Sequence, residues 1–271
     1  MEGALIALLC RTSDRTSGGA RGARALATEI GERLGVEPRI VGSPGEPRPA
    51  PWENDLRASR GCLLEAGGQV DDALSRGAFP ILTASDCSIC MTTLPAVLRH
   101  RPDAHVLWLD AHGDFNTPET TPSGFLGGMC LAAACGVWAD GLGAEPALDP
   151  ARVVMCGVRD LDAGERALVD LRGVKSEKPS ALAERLAGLP VYVHLDLDVL
   201  DPSVFPAQFP VHGGLSDGGL RMLLAEVAER AEIVGVEITA FEAPDDDVSA
   251  AGLAELVTSI VEPLIGASAP D

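Results

Sequence analysis

Short apolar runs alternate with amphipathic stretches along almost the whole chain, and this rhythm constrains the fold most. Strand-like runs occupy residues 4–10, 79–84, 104–111, 152–158, 191–200 and 232–241. Helical patterns lie near residues 19–35, 56–76, 91–99, 127–139, 163–170, 177–187, 217–230 and 249–265. Strands that are apolar throughout are typical of parallel sheets covered by helices on both faces. The sequence therefore predicts an α/β fold with a mostly parallel sheet.

Length and composition favour one domain over residues 1–271, because 46% hydrophobic content is enough for one large core. The net charge of −19 argues against nucleic acid or an anionic membrane as a partner. No apolar run reaches the length of a membrane span, and no basic segment precedes the N-terminal run. We predict a cytoplasmic protein, and oligomeric state stays open.

The seven cysteines are odd in number and lie mostly inside apolar runs. Buried, reduced thiols are the ordinary state of such residues in the cytoplasm. We therefore predict free cysteines, Cys10 and Cys62 included.

Polar residues follow four of the predicted strands at the point where each strand ends. The carboxyl ends of strands in such sheets are where ligands bind. We expect one site built from Asp86 with Cys87, residues 110–114, Asp196 with Asp198, and residues 237–242.

Carboxylates and a histidine alternate at two of these strand ends. Asp110, His112 and Asp114 share one side if their strand stays extended, and Asp196 and Asp198 do the same. Paired carboxylates inside an apolar core are costly unless a cation neutralises them, although satisfied core aspartates are the alternative. These ligands are too many for one tetrahedral zinc ion and suit one harder octahedral ion or two of them, for which Mn(II) is the natural choice. A pair of such ions activates water, so the pattern predicts a metallohydrolase.

Seven motifs together resemble the arginase/agmatinase (ureohydrolase) family in order and spacing, from about residue 79 to residue 244. They are SDCS (85–88), DAHGD (110–114), PSG (122–124), GVRDLDAGE (157–165), HLDLDVLDP (194–202), HGGLS (212–216) and EITAFEAP (237–244). The resemblance implies a three-layer α/β/α fold with a parallel sheet of about eight strands. It also implies two Mn(II) ions per chain and hydrolysis of guanidino compounds to ureas.

The same resemblance implies roles for the acidic and histidine residues at the strand ends. Asp110, Asp114 and Asp198 are expected metal ligands, with Asp114 and one aspartate of the DLD pair bridging the metals. His112 would hold the second metal, and Asp196 would complete the bridging set. Asp114 would also act in catalysis, by hydrogen-bonding the attacking hydroxide.

Further motif positions imply an amino-acid substrate. Asn116 and Ser123 match positions that hold a substrate α-carboxylate in arginases. Asp162 matches the position that meets the α-amino group, and Glu165 supports it. Together these residues favour a small amino acid over a decarboxylated amine such as agmatine.

Two departures from the family concern the metal and the proton donor. Cys87 replaces the histidine that ligates the first metal; cysteine can ligate as thiolate, although a half-empty site is the alternative. Gly127 replaces the histidine thought to shuttle protons, and Phe125 replaces an asparagine. His212 is a candidate replacement for the lost acid, although loop histidines commonly lie on the surface.

Two further departures concern the guanidinium end of the substrate. The family's TGTP threonine is missing, and the shorter QFP segment places Phe209 near its position. The usual guanidinium-binding glutamate falls on Ala240, while Glu242 reaches back only if the strand bulges.

The four departures suit a substrate less basic than arginine. They are similar to those of family members that hydrolyse Nω-hydroxy-L-arginine to L-ornithine and hydroxyurea for D-cycloserine biosynthesis. The alternatives are an ordinary arginase or other ureohydrolase with an altered pocket, and a non-catalytic metal-binding relative.

Overall fold

The computed structural model describes residues 2–266; Met1 and residues 267–271, which the predicted single domain includes, lie outside them. Eight strands form one sheet in which every pairing is parallel. They are β1 (Gly3–Leu8), β2 (Arg39–Val41), β3 (Phe79–Ala84), β4 (His105–Leu109), β5 (Val153–Cys156), β6 (Lys175–Ser176), β7 (Pro190–Asp196) and β8 (Glu232–Thr239). Their spatial order is β2-β1-β3-β8-β7-β4-β5-β6, which confirms the predicted parallel sheet.

Helices cover both faces of the sheet and form the outer two layers. They are α1 (Gly18–Leu34), α2 (Trp52–Ser75), α3 (Cys90–His100), α4 (Cys130–Ala134), α5 (Ala163–Arg172), α6 (Pro179–Arg185), α7 (Asp217–Arg230) and α8 (Asp247–Ile265). One apolar core lies between the sheet and helices α2, α3 and α4. A second core lies between the other face and helices α1, α6, α7 and α8. The three-layer prediction is therefore confirmed.

The central strands are the ones that the apolar pattern predicts. Every residue of β3 is buried, since the strand lies inside the sheet with helices on both faces. The edge strands β2 and β6 have three and two residues, most of them exposed. Strands as short as β2 and β6 contain no apolar run. The apolar pattern by itself therefore predicts only the other six strands. The predicted helix over 127–139 is also shorter, with a 3₁₀ turn at Gly127–Met129 before α4.

A disulfide joins Cys10, just after β1, to Cys62 in α2. The prediction of free thiols is therefore wrong for this pair. The remaining five cysteines are free and buried, as expected. The bond connects two segments 52 residues apart and so ties the loop after β1 to α2.

Helix α8 is the one helix within residues 2–266 that is long and apolar enough to cross a membrane, with a mean hydropathy of 1.5. The expectation that no apolar segment reaches that length is wrong for this helix. In the fold α8 packs against α1 and α7, and it buries Val257, Ile260 and Val261 in the second core. Its apolar composition matches this packing.

Candidate metal centre

A cavity of about 430 Å³ opens at the carboxyl ends of the strands. The side chains predicted as metal ligands and as substrate contacts all line it: Cys87, Asp110, His112, Asp114, Asn116, Ser123, Asp162, Glu165, Asp196, Asp198 and Glu242. His212 does not line it; that side chain is exposed, and its neighbour Val211 contributes to the wall instead. The fold thus brings together every predicted site residue except His212.

The loop after β3 presents Cys87 to the cavity. Asp86 caps the following 3₁₀ turn by accepting a 2.9 Å hydrogen bond from the Ser88 backbone N–H. The Cys87 thiol donates to Asp196 Oδ2 at 2.8 Å, and its Sγ lies 3.0 Å from Thr239 Oγ1. Burial, followed by the charge of Asp196, raises the pKa of the Cys87 thiol well above its ordinary value. A thiolate at this position therefore needs a cation beside it.

The chain turns after β4 instead of continuing as a strand. The strand ends at Leu109, the His112 backbone N–H donates to Asp110 Oδ1 at 2.6 Å, and Asp114 has a φ of 50°. The strand therefore does not stay extended through residues 110–114, which was the condition for placing the three side chains on one side. All three side chains nevertheless line the cavity.

A similar turn follows β7. Asp196 is the last residue of the strand, and its Oδ1 accepts a 2.7 Å hydrogen bond from the Asp198 backbone N–H. Asp198 Oδ1 accepts from the Ala111 backbone N–H at 3.0 Å, and Asp198 Oδ2 lies 2.9 Å from His112 Nδ1. The turns after β4 and β7 are therefore linked directly.

Burial and mutual repulsion raise the pKa values of several buried aspartates, as expected for carboxylates that bind a cation. Burial and then the charge of Asp110 raise the pKa of Asp114 well above its usual range, and burial and then Asp198 do the same to Asp196. Burial and then Asp198 raise the pKa of Asp110 to about 6. Burial opposes the charged form of His112, but hydrogen bonds to Asp110 and Asp198 raise its pKa to about 12. The His112 imidazole thus contacts two of these carboxylates, those of Asp110 and Asp198.

Two groups of donor atoms each fit around a single ion, since the atoms of each group lie within 4.8 Å of one another. One group is Cys87, Asp110 and His194, and the other is Asp110, His112 and Asp198. Asp110 belongs to both groups, so it lies where one ligand could contact two ions. Asp110 Oδ2 is also buried, and no residue within 2–266 forms a hydrogen bond with it. The residues present therefore fit a pair of divalent ions.

His194 is the candidate ligand that the sequence analysis missed. Its Nδ1 lies 2.6 Å from Glu237 Oε1, its ring stacks on Trp108 at 3.6 Å, and its buried Nε2 has no partner among the described residues. An imidazole held by a carboxylate through one nitrogen is the usual arrangement of a metal-binding histidine. The available signal was its position two residues before Asp196, which puts both side chains on one face of β7.

Glu237, which lies within β8, and Glu242, which follows the strand, have different surroundings. Glu237 is buried beneath the cavity, where Thr93, Tyr192 and His194 contact its carboxylate. Glu242 lines the cavity and accepts a 2.6 Å hydrogen bond from Thr16 Oγ1. The chain reaches it through a left-handed residue, Ala240, with a φ of 60°.

Of the residues predicted to contact the amino-acid end of a substrate, Asn116, Asp162 and Glu165 are connected by hydrogen bonds, and Ser123 has contacts of its own. Asn116 Nδ2 donates to Asp162 Oδ2 at 3.2 Å, and Asp162 and Glu165 form a capping box at the start of α5. Ser123 Oγ accepts from the Phe125 backbone N–H at 3.2 Å. These contacts set the side chains before any ligand binds.

The Phe125 ring fills the space beside Gly127. A Cβ atom on Gly127 would lie 2.6 Å from Phe125 Cε1 and 3.2 Å from Asp86 Oδ2. A histidine at position 127 therefore does not fit while Phe125 keeps this position.

The fold and the site together define a hydrolase of the three-layer α/β/α class with carboxylate, imidazole and thiol donors at the strand ends. Residues 51–264 match the arginase family. The chain is 36% identical to an N(omega)-hydroxy-L-arginine amidinohydrolase of Streptomyces lavendulae, over 96% of each protein. It is 38% identical to an arginase of Bacillus caldovelox, over 68% of each. The structure of Bacillus subtilis arginase superposes with a TM-score of 0.85 at 27% identity, covering 98% of this chain and 99% of that one.

The chain therefore belongs to the arginase family. It is an amidinohydrolase, an enzyme that hydrolyses C–N bonds in linear amidines.

Proposed function

We propose that this enzyme uses two Mn(II) ions to hydrolyse Nω-hydroxy-L-arginine to L-ornithine and hydroxyurea. The observation that carries the proposal is the pairing of Cys87 with Asp196 in a donor set where Phe125 occupies the space beside Gly127. The similarity to the Streptomyces lavendulae enzyme supports the same reaction. The hydroxyurea formed would serve D-cycloserine biosynthesis.

The proposed ligands are Cys87, Asp110, His112, Asp114, Asp196 and Asp198, with His194 as a further candidate beside Cys87 and Asp110. When bound, the ions supply positive charge that activates a water molecule for attack on the guanidino carbon. Asp114 would accept a hydrogen bond from that water. His212 has no part in this mechanism, because its side chain lies outside the cavity.

The chain's own residues favour an N-hydroxylated guanidine over a guanidine. The hydroxyl group withdraws electrons, so the guanidino group is less basic and depends less on a carboxylate partner. Glu242 is the carboxylate nearest the position where the family has its guanidinium-binding glutamate, and Thr16 already donates to it. Asn116, Ser123, Asp162 and Glu165 would bind the amino-acid end of the substrate.

The proposal is tested by the products that the purified protein releases after loading with Mn(II). We expect hydroxyurea from Nω-hydroxy-L-arginine and little urea from L-arginine under the same conditions. Equal or faster turnover of L-arginine would instead establish the second candidate, an arginase, which the similarity to the Bacillus caldovelox enzyme favours. Fewer than one metal ion per chain would indicate a non-catalytic relative.

The steric role of Phe125 is tested by placing the family's histidine at position 127. We expect Gly127→His alone to lower the free energy of unfolding by about 1–3 kcal/mol, because the new side chain overlaps Phe125. Adding Phe125→Asn should relieve the overlap and raise turnover of L-arginine relative to Nω-hydroxy-L-arginine. Urea denaturation and paired assays measure both effects.

Gly128→His is the matched control for that substitution. Gly128 also lines the cavity, but a Cβ atom there meets no heavy atom within 4 Å. We expect it to leave stability nearly unchanged. Equal destabilisation by the two histidines would contradict the steric role of Phe125.

A further inference from the structure

The wall of the cavity presents an electrostatic difficulty for an amino-acid substrate. Apart from the proposed metal ligands, the carboxylates that line it are those of Asp86, Asp160, Asp162, Glu165 and Glu242. A substrate α-carboxylate that approached this wall without a cationic partner would be repelled. Among the described residues that line the cavity, Arg15 is the one lysine or arginine.

Arg15 lies in the loop after β1, and two aromatic rings hold its side chain. Its guanidinium carbon lies 4.9 Å from the ring centroid of Phe125 and 5.7 Å from that of Phe209. The two rings pack edge to face at 5.0 Å, and the Arg15 backbone N–H donates to Gln208 Oε1 at 3.2 Å. A cation over aromatic faces is attracted to them, so Arg15 is positioned before a ligand arrives.

The guanidinium keeps its hydrogen-bonding capacity for a ligand. Within residues 2–266, no protein oxygen accepts a hydrogen bond from it, and no carboxylate forms an ion pair with it. Its planar donors match a carboxylate with two parallel hydrogen bonds. Contact with Phe125 also places it beside the segment that carries Ser123, a proposed carboxylate contact.

We propose that Arg15 binds the α-carboxylate of the substrate, which rests on the proposed function in requiring a free amino acid. Phe125 stands where the resemblance places a polar asparagine, so a polar side chain is lost from the cavity wall at that position. The same Phe125 ring supports Arg15, whose guanidinium supplies a polar group to that wall. Arg15 thereby selects amino acids over the corresponding decarboxylated amines.

The test compares two ligands that differ only in the carboxylate. Binding of L-ornithine and of putrescine to the Mn(II)-loaded protein is measured by titration calorimetry for the wild type and Arg15→Met. We expect the L-ornithine Kd to rise about 10- to 100-fold, as for loss of a hydrogen-bonded charge pair. The putrescine Kd should stay the same or fall, because removing a positive charge does not harm binding of a diamine. The KM of the amino-acid substrate should rise with that Kd while kcat changes little.

Two further variants make the result specific. Arg24→Met removes the same charge from an exposed position of α1, and we expect no change in either Kd. Arg15→Lys keeps the charge and should recover part of the affinity for L-ornithine. Equal losses for both ligands, or an unchanged L-ornithine Kd in Arg15→Met, would overturn the proposal.

The comparison also separates this inference from the proposed function. Nω-hydroxy-L-arginine, L-arginine and L-ornithine carry the same α-carboxylate. A wild-type enzyme that prefers L-arginine would overturn the proposed reaction but would leave the Arg15 effect in place. A wild-type enzyme that releases hydroxyurea, with no Arg15 effect on L-ornithine binding, would overturn only the role of Arg15.

Discussion

Replacing Asp110 by asparagine is expected to remove bound Mn(II) and to lower turnover by about 10³-fold or more, because the charge stabilisation supplied by the ions is lost. Asp110 belongs to both candidate ligand groups, and its buried Oδ2 has no hydrogen-bond partner in the part of the chain that the structure describes. We also expect the substitution to change the thermal stability of the metal-free protein. Asparagine removes one buried negative charge that faces Asp198, so the EDTA-treated variant should unfold at a higher temperature than the EDTA-treated wild type. Metal analysis, product assays and calorimetry measure the three effects.

Asp160→Asn is the control for this prediction. Asp160 lines the same cavity, but it is exposed and belongs to neither ligand group. We expect its metal content to equal that of the wild type. An Asp110→Asn variant that retains two ions per chain would remove Asp110 from the metal centre.

Replacing Cys87 has the second large expected effect. We expect Cys87→Ala to lose one of the two ions and to lower turnover by about 10²-fold, since a direct donor matters at least as much as the groups that orient donors. Cys87→Ser should weaken metal binding less, because it keeps a small polar donor. Cys87→His should retain both ions and shift the preference toward L-arginine. Metal analysis and paired substrate assays on the same samples decide these outcomes.

Cys90→Ala controls for packing in the Cys87 series. Cys90 is fully buried three residues further along the chain, and it lies outside both ligand groups. Its loss should cost about 1 kcal/mol of stability and leave the metal content unchanged. If Cys87→Ala behaved in the same way, the Cys87 thiol would be a packing group only.

The site residues at the strand ends were predictable because they are polar and the strands that lead to them are apolar. Asp110 and Cys87 follow buried apolar strands and Asp196 ends one, and parallel strands bring such ends to one edge of the sheet. The paths of the loops were not predictable in the same way. The turn after Asp196 is linked to the neighbouring loop by a hydrogen bond from the Ala111 backbone N–H to Asp198 Oδ1. The Asp114 carbonyl accepts a hydrogen bond from the Leu131 backbone N–H, 17 residues further along the chain.

His194 and Arg15 are two site residues whose roles could not be predicted from the sequence. His194 lies within a buried strand, so the sequence presents it as a core residue. Only its stacking on Trp108 and its contact with Glu237 reveal an imidazole with one nitrogen left unpaired. Arg15 is more than 100 residues from both rings that hold it, and no local pattern connects them.

By itself, then, the sequence determined the α/β class, the strands of the sheet interior and the donor residues at the strand ends. Burial on both faces imposes a continuous apolar run, and carboxylates interrupt such a run visibly. Tertiary structure alone decided that Asp110 is common to both ligand groups, that Cys10 and Cys62 are bonded, and that Arg15 faces the cavity. These features depend on distances between segments far apart in the chain, and residue order along the chain does not specify such distances.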